Sequence, residues 1–154
     1  MIKKFFKSQN TVRQWVQVKD YEVQIHSVKE QQYFINQETK RVIYIEVEYR
    51  NQTQVENLNC RRNQWHLFTQ DGYSYEALSE ITASKYYTEK TYFGGERFIN
   101  PGRNVRGWLA FEIPADKQPE YVQFMTAFLS TKTADIEIAN AIELEESKDI
   151  SKLR

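Results

Sequence analysis

Three side chains carry the chemistry most easily recruited for catalysis or metal binding: His26, His66 and Cys60, the only histidines and the only cysteine in 154 residues. Imidazole nitrogen and thiolate sulfur are common zinc ligands, and a thiol beside a histidine is the minimum of a nucleophilic enzyme. Arg61 and Arg62 follow Cys60, and neighbouring cations lower a thiol's pKa. Spacing argues against both uses. The three residues lack the close intervals of known metal sites, and no local signature surrounds Cys60. A lone cysteine is ordinarily a small buried apolar residue. The reading is therefore no catalytic residue, no metal and no cofactor. Its alternative is a small-ligand, metal-binding or thiol-dependent domain, which requires Cys60, His26 and His66 to converge.

Other polar groups have simpler explanations. Glu46 and Glu48 share the outer face of one alternating run, and Glu145 and Glu146 sit in a charged tail; neither pair is poised for acid–base work. Asn51-Gln52-Thr53 matches a glycosylation acceptor, but reads here as turn chemistry. The stretch 84–98, SKYYTEKTYFGGERF, is the more distinctive feature. Aromatic rings with polar tips on a loop suit a contact surface, which makes Tyr86, Tyr87, Tyr92, Phe93 and Arg97 the candidate partner-binding residues. The competing reading is a lid packed onto one open end of the sandwich, with only the Tyr hydroxyls showing. Arg97, Arg103 and Arg106 add positive charge, without the basic groove of a single-strand binder.

The elements that must hold these residues are strands. Alternation of period two dominates. Tyr21, Val23 and Ile25 oppose Glu22, Gln24 and His26; Ile43, Ile45, Val47 and Tyr49 oppose Val42, Tyr44, Glu46 and Glu48. Trp65, Leu67 and Thr69 run into Asp71-Gly72, a hairpin signal, and then Tyr73 and Tyr75. Asn100-Pro101-Gly102 is a turn, after which Val105, Gly107, Leu109, Phe111 and Ile113 face inward and Arg106, Trp108, Ala110 and Glu112 outward. Gly107 leaves a mid-strand gap that implies a bulge or a close neighbour. Val122, Phe124, Thr126 and Phe128, then Ile136, Ile138 and Ile142, complete about seven strands. That is the pattern of two packed antiparallel sheets, with one long irregular loop, 77–98, that has room for a helical turn.

Composition agrees. Ten Tyr, nine Phe and three Trp favour strands. With 21 basic and 21 acidic residues, no global field draws the chain to nucleic acid or an anionic membrane, so neither partner is expected. No run reaches the length of a membrane span. Residues 1–11 read as a basic flexible tail pinned by Phe5-Phe6, 12–144 as the sandwich, and 145–154 as a charged tail or short helix. The opening Met1-Ile2-Lys3-Lys4-Phe5-Phe6-Lys7 lacks the apolar stretch of a signal peptide. The expected location is cytoplasmic as the sequence stands, and the cell envelope if an export segment has been removed.

The order of these pieces resembles the bacterial telokin-like immunoglobulin family over roughly residues 15–140. The resemblance rests on the Pro-Gly turn, the following Val105-Arg106-Gly107, and Phe111-Glu112-Ile113-Pro114. Asn51-Gln52-Thr53 and the Leu67-Phe68 to Asp71-Gly72 stretch add to it. It implies an immunoglobulin-like β-sandwich with no catalytic motif to carry over. The family is common in envelope lipoproteins, whereas Cys60 lies mid-domain. The expectation is a non-enzymatic interaction module that binds a protein partner through end loops, or self-associates through a sheet edge.

Overall fold

A computed structural model describes residues 10–86, 90–127 and 130–150. The expected β-sandwich is present. The two longest strands, β3 (Tyr21–Ile35) and β4 (Glu38–Asn51), form one hairpin. Its two-residue turn, Asn36-Gln37, has positive φ at both positions, the geometry that matches the twist of the flanking strands. The sequence reading stopped short of this hairpin because Gln is an uncommon second residue there. Around it lie β1 (Asn10–Thr11), β2 (Val16–Val18), β5 (Leu58–Cys60), β6 (Trp65–Thr69) and β7 (Ser74–Glu76). Then come helix α1 (Glu80–Tyr86), β8 (Arg97–Ile99), β9 (Asn104–Ile113), β10 (Pro119–Met125), β11 (Thr133–Glu137), β12 (Ile142–Leu144) and β13 (Lys148–Asp149).

One sheet runs β1-β11-β10-β6-β7. The other is built on β3-β4-β9, with β2, β12 and β13 each paired to β3. Strands β5 and β8 form a separate ribbon. The seven anticipated strands are the body of the sandwich; the additions are two or three residues long, too short for alternation to reveal. Pairing is antiparallel in the body. The short strand β1 runs parallel to β11, and β12 and β13 run parallel to β3.

The inner faces are those the alternation gives. Ile43, Ile45, Val47 and Tyr49 meet Trp65, Leu67, Val122 and Phe124 in one buried cluster. Within it Trp65 Nε1 donates to Tyr49 Oη at 2.8 Å, Tyr49 Oη donates to Gln64 Oε1 at 2.5 Å, and Gln64 Nε2 donates to the Thr126 carbonyl at 2.9 Å. A chain of this kind leaves no polar atom of the trio stranded in the core.

Two boundaries move. Thr11 belongs to β1 rather than to a tail, and residues 145–150 are extended along β3 rather than helical. The proposed Phe5-Phe6 pin lies outside the described residues. Edges of the larger sheet are covered by the chain itself. On one side β2, β12 and β13 divide the length of β3 among them. On the other, Leu78 N donates to Ala110 O and Phe93 N to Trp108 O, while Trp108 N donates to Thr91 O. The smaller sheet ends in strands of two and three residues. Self-association through an open edge thus loses its template, because short or covered edges offer few free backbone groups.

Candidate functional site

The three chemically capable side chains do not converge. Cys60 is buried on the ribbon. Burial pushes its thiol up to about 12, with the Arg97 charge only partly opposing. At neutral pH it is a protonated core residue, not a nucleophile. His66 alternates with the buried Trp65 and Leu67, so it faces out from the smaller sheet. His26 faces out from the larger one, on the far side of the sandwich. It is the extra residue of a bulge between Ile25 and Ser27, and its Nε2 donates to Glu48 Oε1 at 2.7 Å. Packed sheets lie about 10 Å apart, and the two rings point away from each other. Among the described residues no group of three His, Cys, Asp or Glu side chains could hold a metal.

Glu46 and Glu48 do sit together on the outer face, each with its own partners. Arg106 Nε donates to Glu46 and Asn104 Nδ2 to Glu48, both at 2.9 Å. Burial works against the Glu48 carboxylate, but the hydrogen bonds from Asn104 and His26 outweigh it and hold the carboxyl below its usual range. This is a satisfied surface network.

The aromatic stretch divides between the two sides of the larger sheet. Ser79 caps α1, its hydroxyl accepting from Thr82 N at 3.2 Å. The helix lies on the outer face of β3, β4 and β9, where Ala83 and Tyr92 pack with Tyr33, Val42, Tyr44 and Ala110 in a second buried cluster. Tyr44 Oη and Tyr33 Oη are 2.5 Å apart, and Tyr33 Oη donates on to Gln31 Oε1. Burial, then hydrogen bonding to Tyr33, raises the Tyr44 phenol far above its usual range. Tyr86 is half-buried, its ring 5.0 Å from Tyr33, its hydroxyl donating to Glu112 at 3.0 Å. Residues 91–93 run along β9, joined to it by one parallel bridge between Tyr92 and Trp108. Alternation therefore sends Tyr92 to the outer cluster and Phe93 to the inner one, where it meets Tyr49.

The mid-strand gap at Gly107 is filled by that Phe93 ring. A Cβ on Gly107 would lie 2.9 Å from Phe93 Cε2, so the close neighbour, not a bulge, explains the glycine. Tyr92 and Phe93 are only 9% and 4% exposed. They hold the lid to the sandwich with most of their surface buried, which corrects their assignment as exposed contact residues. Tyr87 lies outside the described residues. Outside the lid, Glu80, Ile81, Ser84, Lys90, Thr91 and Tyr92 line an open depression of about 420 Å³, with Lys90 Nζ 3.8 Å over the Trp108 ring.

Arg97 is exposed, and its surroundings are the informative part. Asn51, fully buried at the end of β4, donates through Nδ2 to Glu56 O at 2.7 Å and Ile99 O at 2.8 Å. Its Oδ1 accepts from Thr53 N and Thr53 Oγ1. Its backbone joins the 100–103 turn: Gly102 N donates to Asn51 O, and Asn51 N to Arg103 O. In that turn Arg103 N donates to Asn100 O and Gly102 has φ of 75°, a type II turn with Pro and Gly at the positions that favour them. The acceptor-like Asn51 is thus a buried hub with both amide hydrogens used. Because two carbonyls share one nitrogen, the chain at 55–56 and at 98–99 is held side by side. Val55 and Phe98, 86% and 56% exposed, emerge there, flanked by exposed Arg97 and Arg103. Neither arginine makes an ion pair among the described residues. Phe98 belongs to the aromatic stretch that the sequence singles out, whereas Val55 escapes sequence reasoning because it is a single apolar residue in a polar stretch.

This hub lies inside a stretch that carries a family signature. The profile of a family described as a domain of unknown function, DUF4352, matches residues 11–136. The chain belongs to this family. The DUF4352 match runs from β1 into β11, taking in the hub, the ribbon and the lid. Solved structures share the sandwich. The yjhA protein from Bacillus subtilis is similar over 84% of this chain and 98% of its own, with a TM-score of 0.62 at 13% identity. MPT63, a secreted protein from Mycobacterium tuberculosis, is similar over 83% of this chain and 95% of its own, with a TM-score of 0.58 at 12% identity. Likeness at such identity is one of fold. No curated protein matches the chain. No helix among the described residues is long and apolar enough to cross a membrane.

Proposed function

We propose that this DUF4352 chain is a non-enzymatic, immunoglobulin-like interaction module that binds a protein partner through the loops at the Asn51 end. We also retain the telokin-like affinity for it, on the strength of the Pro-Gly turn and the Phe111 to Pro114 strand end. The observation that carries the reading is the exposure of Val55 and Phe98, each next to a residue whose carbonyl accepts from the buried Asn51 amide. Exposed apolar side chains on a fixed backbone offer contact area at little ordering cost. Arg97 keeps its place in the surface; Tyr92 and Phe93 give way to Val55 and Phe98. An extracytoplasmic site of action suits such a module. Its one thiol is buried and high in pKa, which makes the core indifferent to the redox state outside.

Capture from a native lysate tests the surface. Wild type and Tyr86→Ala are expected to retain the same protein, and the Val55→Ser/Phe98→Ser variant to lose it. Retention by all three, or loss with Tyr86→Ala alone, would move the contact away from this end.

A further inference from the structure

The chain carries a second exposed apolar residue set among unpaired charges, of the opposite sign. Leu144 is 78% exposed on the outermost strand β12. Glu143 and Glu146 beside it are exposed and make no ion pair among the described residues; Glu145 is turned to Lys29 at 3.4 Å. The strip follows the stretch that the family profile matches, which ends at 136. At the hub surface the exposed Arg97 and Arg103 lie on either side of Phe98 along the chain, and the exposed Glu56 follows Val55.

We propose that the Val55–Phe98 end of one molecule docks on the Glu143–Glu146 strip of a second copy of this chain. The proposal rests on the reading of the Asn51 end as the contact surface and names its partner. One molecule cannot satisfy the contact within itself. Asn51 pairs with Tyr21 at the start of β3, whereas Leu144 pairs with Glu30. Nine residues of strand separate the two levels, about 30 Å at 3.3 Å per residue. The two patches differ, so the contact either closes reciprocally between two copies or propagates head to tail. A formal net charge of zero leaves no global repulsion to oppose it. Exposed charge pairs steer more than they bind and are screened by salt, so the association is weak and ionic-strength dependent.

Sedimentation equilibrium of the full chain, from micromolar to millimolar concentration at low and high salt, reads this directly. Wild type is expected to self-associate at low salt and to dissociate as salt rises. Arg97→Glu/Arg103→Glu is expected to weaken association about tenfold, two surface pairs' worth, and Glu143→Lys/Glu146→Lys likewise. Mixing the two charge-reversed proteins restores it. All four positions are exposed, and circular dichroism confirms that each variant folds. A monomer at millimolar concentration overturns the proposal, as does association that neither reversal changes or that mixing fails to restore. The surface reading fails separately: if Phe98→Ser alters neither self-association nor lysate capture, the Asn51 end is not a contact surface at all. If Phe98→Ser abolishes capture by a chain that stays monomeric, only the second copy is wrong.

Discussion

The larger sheet buries phenols on both faces, and the two faces are built differently. Inside, Tyr49 is enclosed by Trp65, Phe93 and Phe124 at ring distances of 5.5 to 6.0 Å, held by two sheets whose strands come from the whole chain. Outside, Tyr33 and Tyr44 are covered by one seven-residue helix and a few residues of 90–93. The inner cluster is fastened by long-range pairing. The outer one depends on a segment whose main anchors are Ala83, Tyr92 and Phe93. The difference predicts where stability resides and where the chain opens first.

Removing the inner anchor has the largest expected effect. Trp65→Ala is expected to lower unfolding stability by about 3–5 kcal/mol, as for other large buried aromatics, read as a shift of the denaturant midpoint. A smaller loss would mean that the sheets are less tightly joined than the packing implies. Gly107→Ala probes the link between the faces. The new Cβ collides with the Phe93 ring, an overpacking cost of about 1–3 kcal/mol, and Phe93→Leu is expected to recover part of it. If Gly107→Ala is neutral, the ring does not occupy that gap.

Tyr44→Phe sharpens the contrast on the outer face. Loss of the Tyr44 hydroxyl, which hydrogen-bonds Tyr33 and Tyr92, is expected to cost about 0.5–1.5 kcal/mol per bond. Its signature is faster amide exchange across 80–93, with exchange near Tyr49 unchanged. The smallest effect belongs to neither face. Lys117 and Thr69 donate to Asp71 in the β6–β7 turn; the Lys117 hydrogen bond leads in holding that carboxyl at about 2, below the usual carboxylate range. A depressed carboxylate pKa stabilises the fold above the unfolded value, and that share is lost as pH falls from about 4 through 2. Asp71→Asn is expected to flatten the pH dependence slightly in that window and nowhere else.

The two faces were not equally legible in the sequence. The inner residues of β4, β9 and β10 follow from alternation alone, and Asp71-Gly72 and Asn100-Pro101-Gly102 announce their turns. The outer cluster left a fainter trace: Val42-Ile43-Tyr44-Ile45 is an unbroken apolar run, the mark of a strand covered on both sides. What covers it was hidden, because α1 has only seven residues and 91–93 pairs as a single bridge. The bulge at His26 was overlooked although it left a mark: the inward residues pass from Tyr21, Val23 and Ile25 to Val28, a change of phase that one extra residue produces. Of the 84–98 aromatic stretch Tyr92 and Phe93 are buried and Phe98 is left outside, while the isolated Val55, the other exposed apolar residue at the Asn51 end, gave no signal in the sequence. Burial on a loop is decided by what the backbone pairs with, and Tyr92 and Phe93 pair with β9.

Hydroxyl-radical footprinting of the full chain tests that division most directly. The account predicts rapid oxidation of Phe98, with Tyr92 and Phe93 protected to the level of Trp65. Oxidation of Tyr92 and Phe93 as fast as that of Phe98 would contradict it, and would return the 84–98 aromatics to the surface.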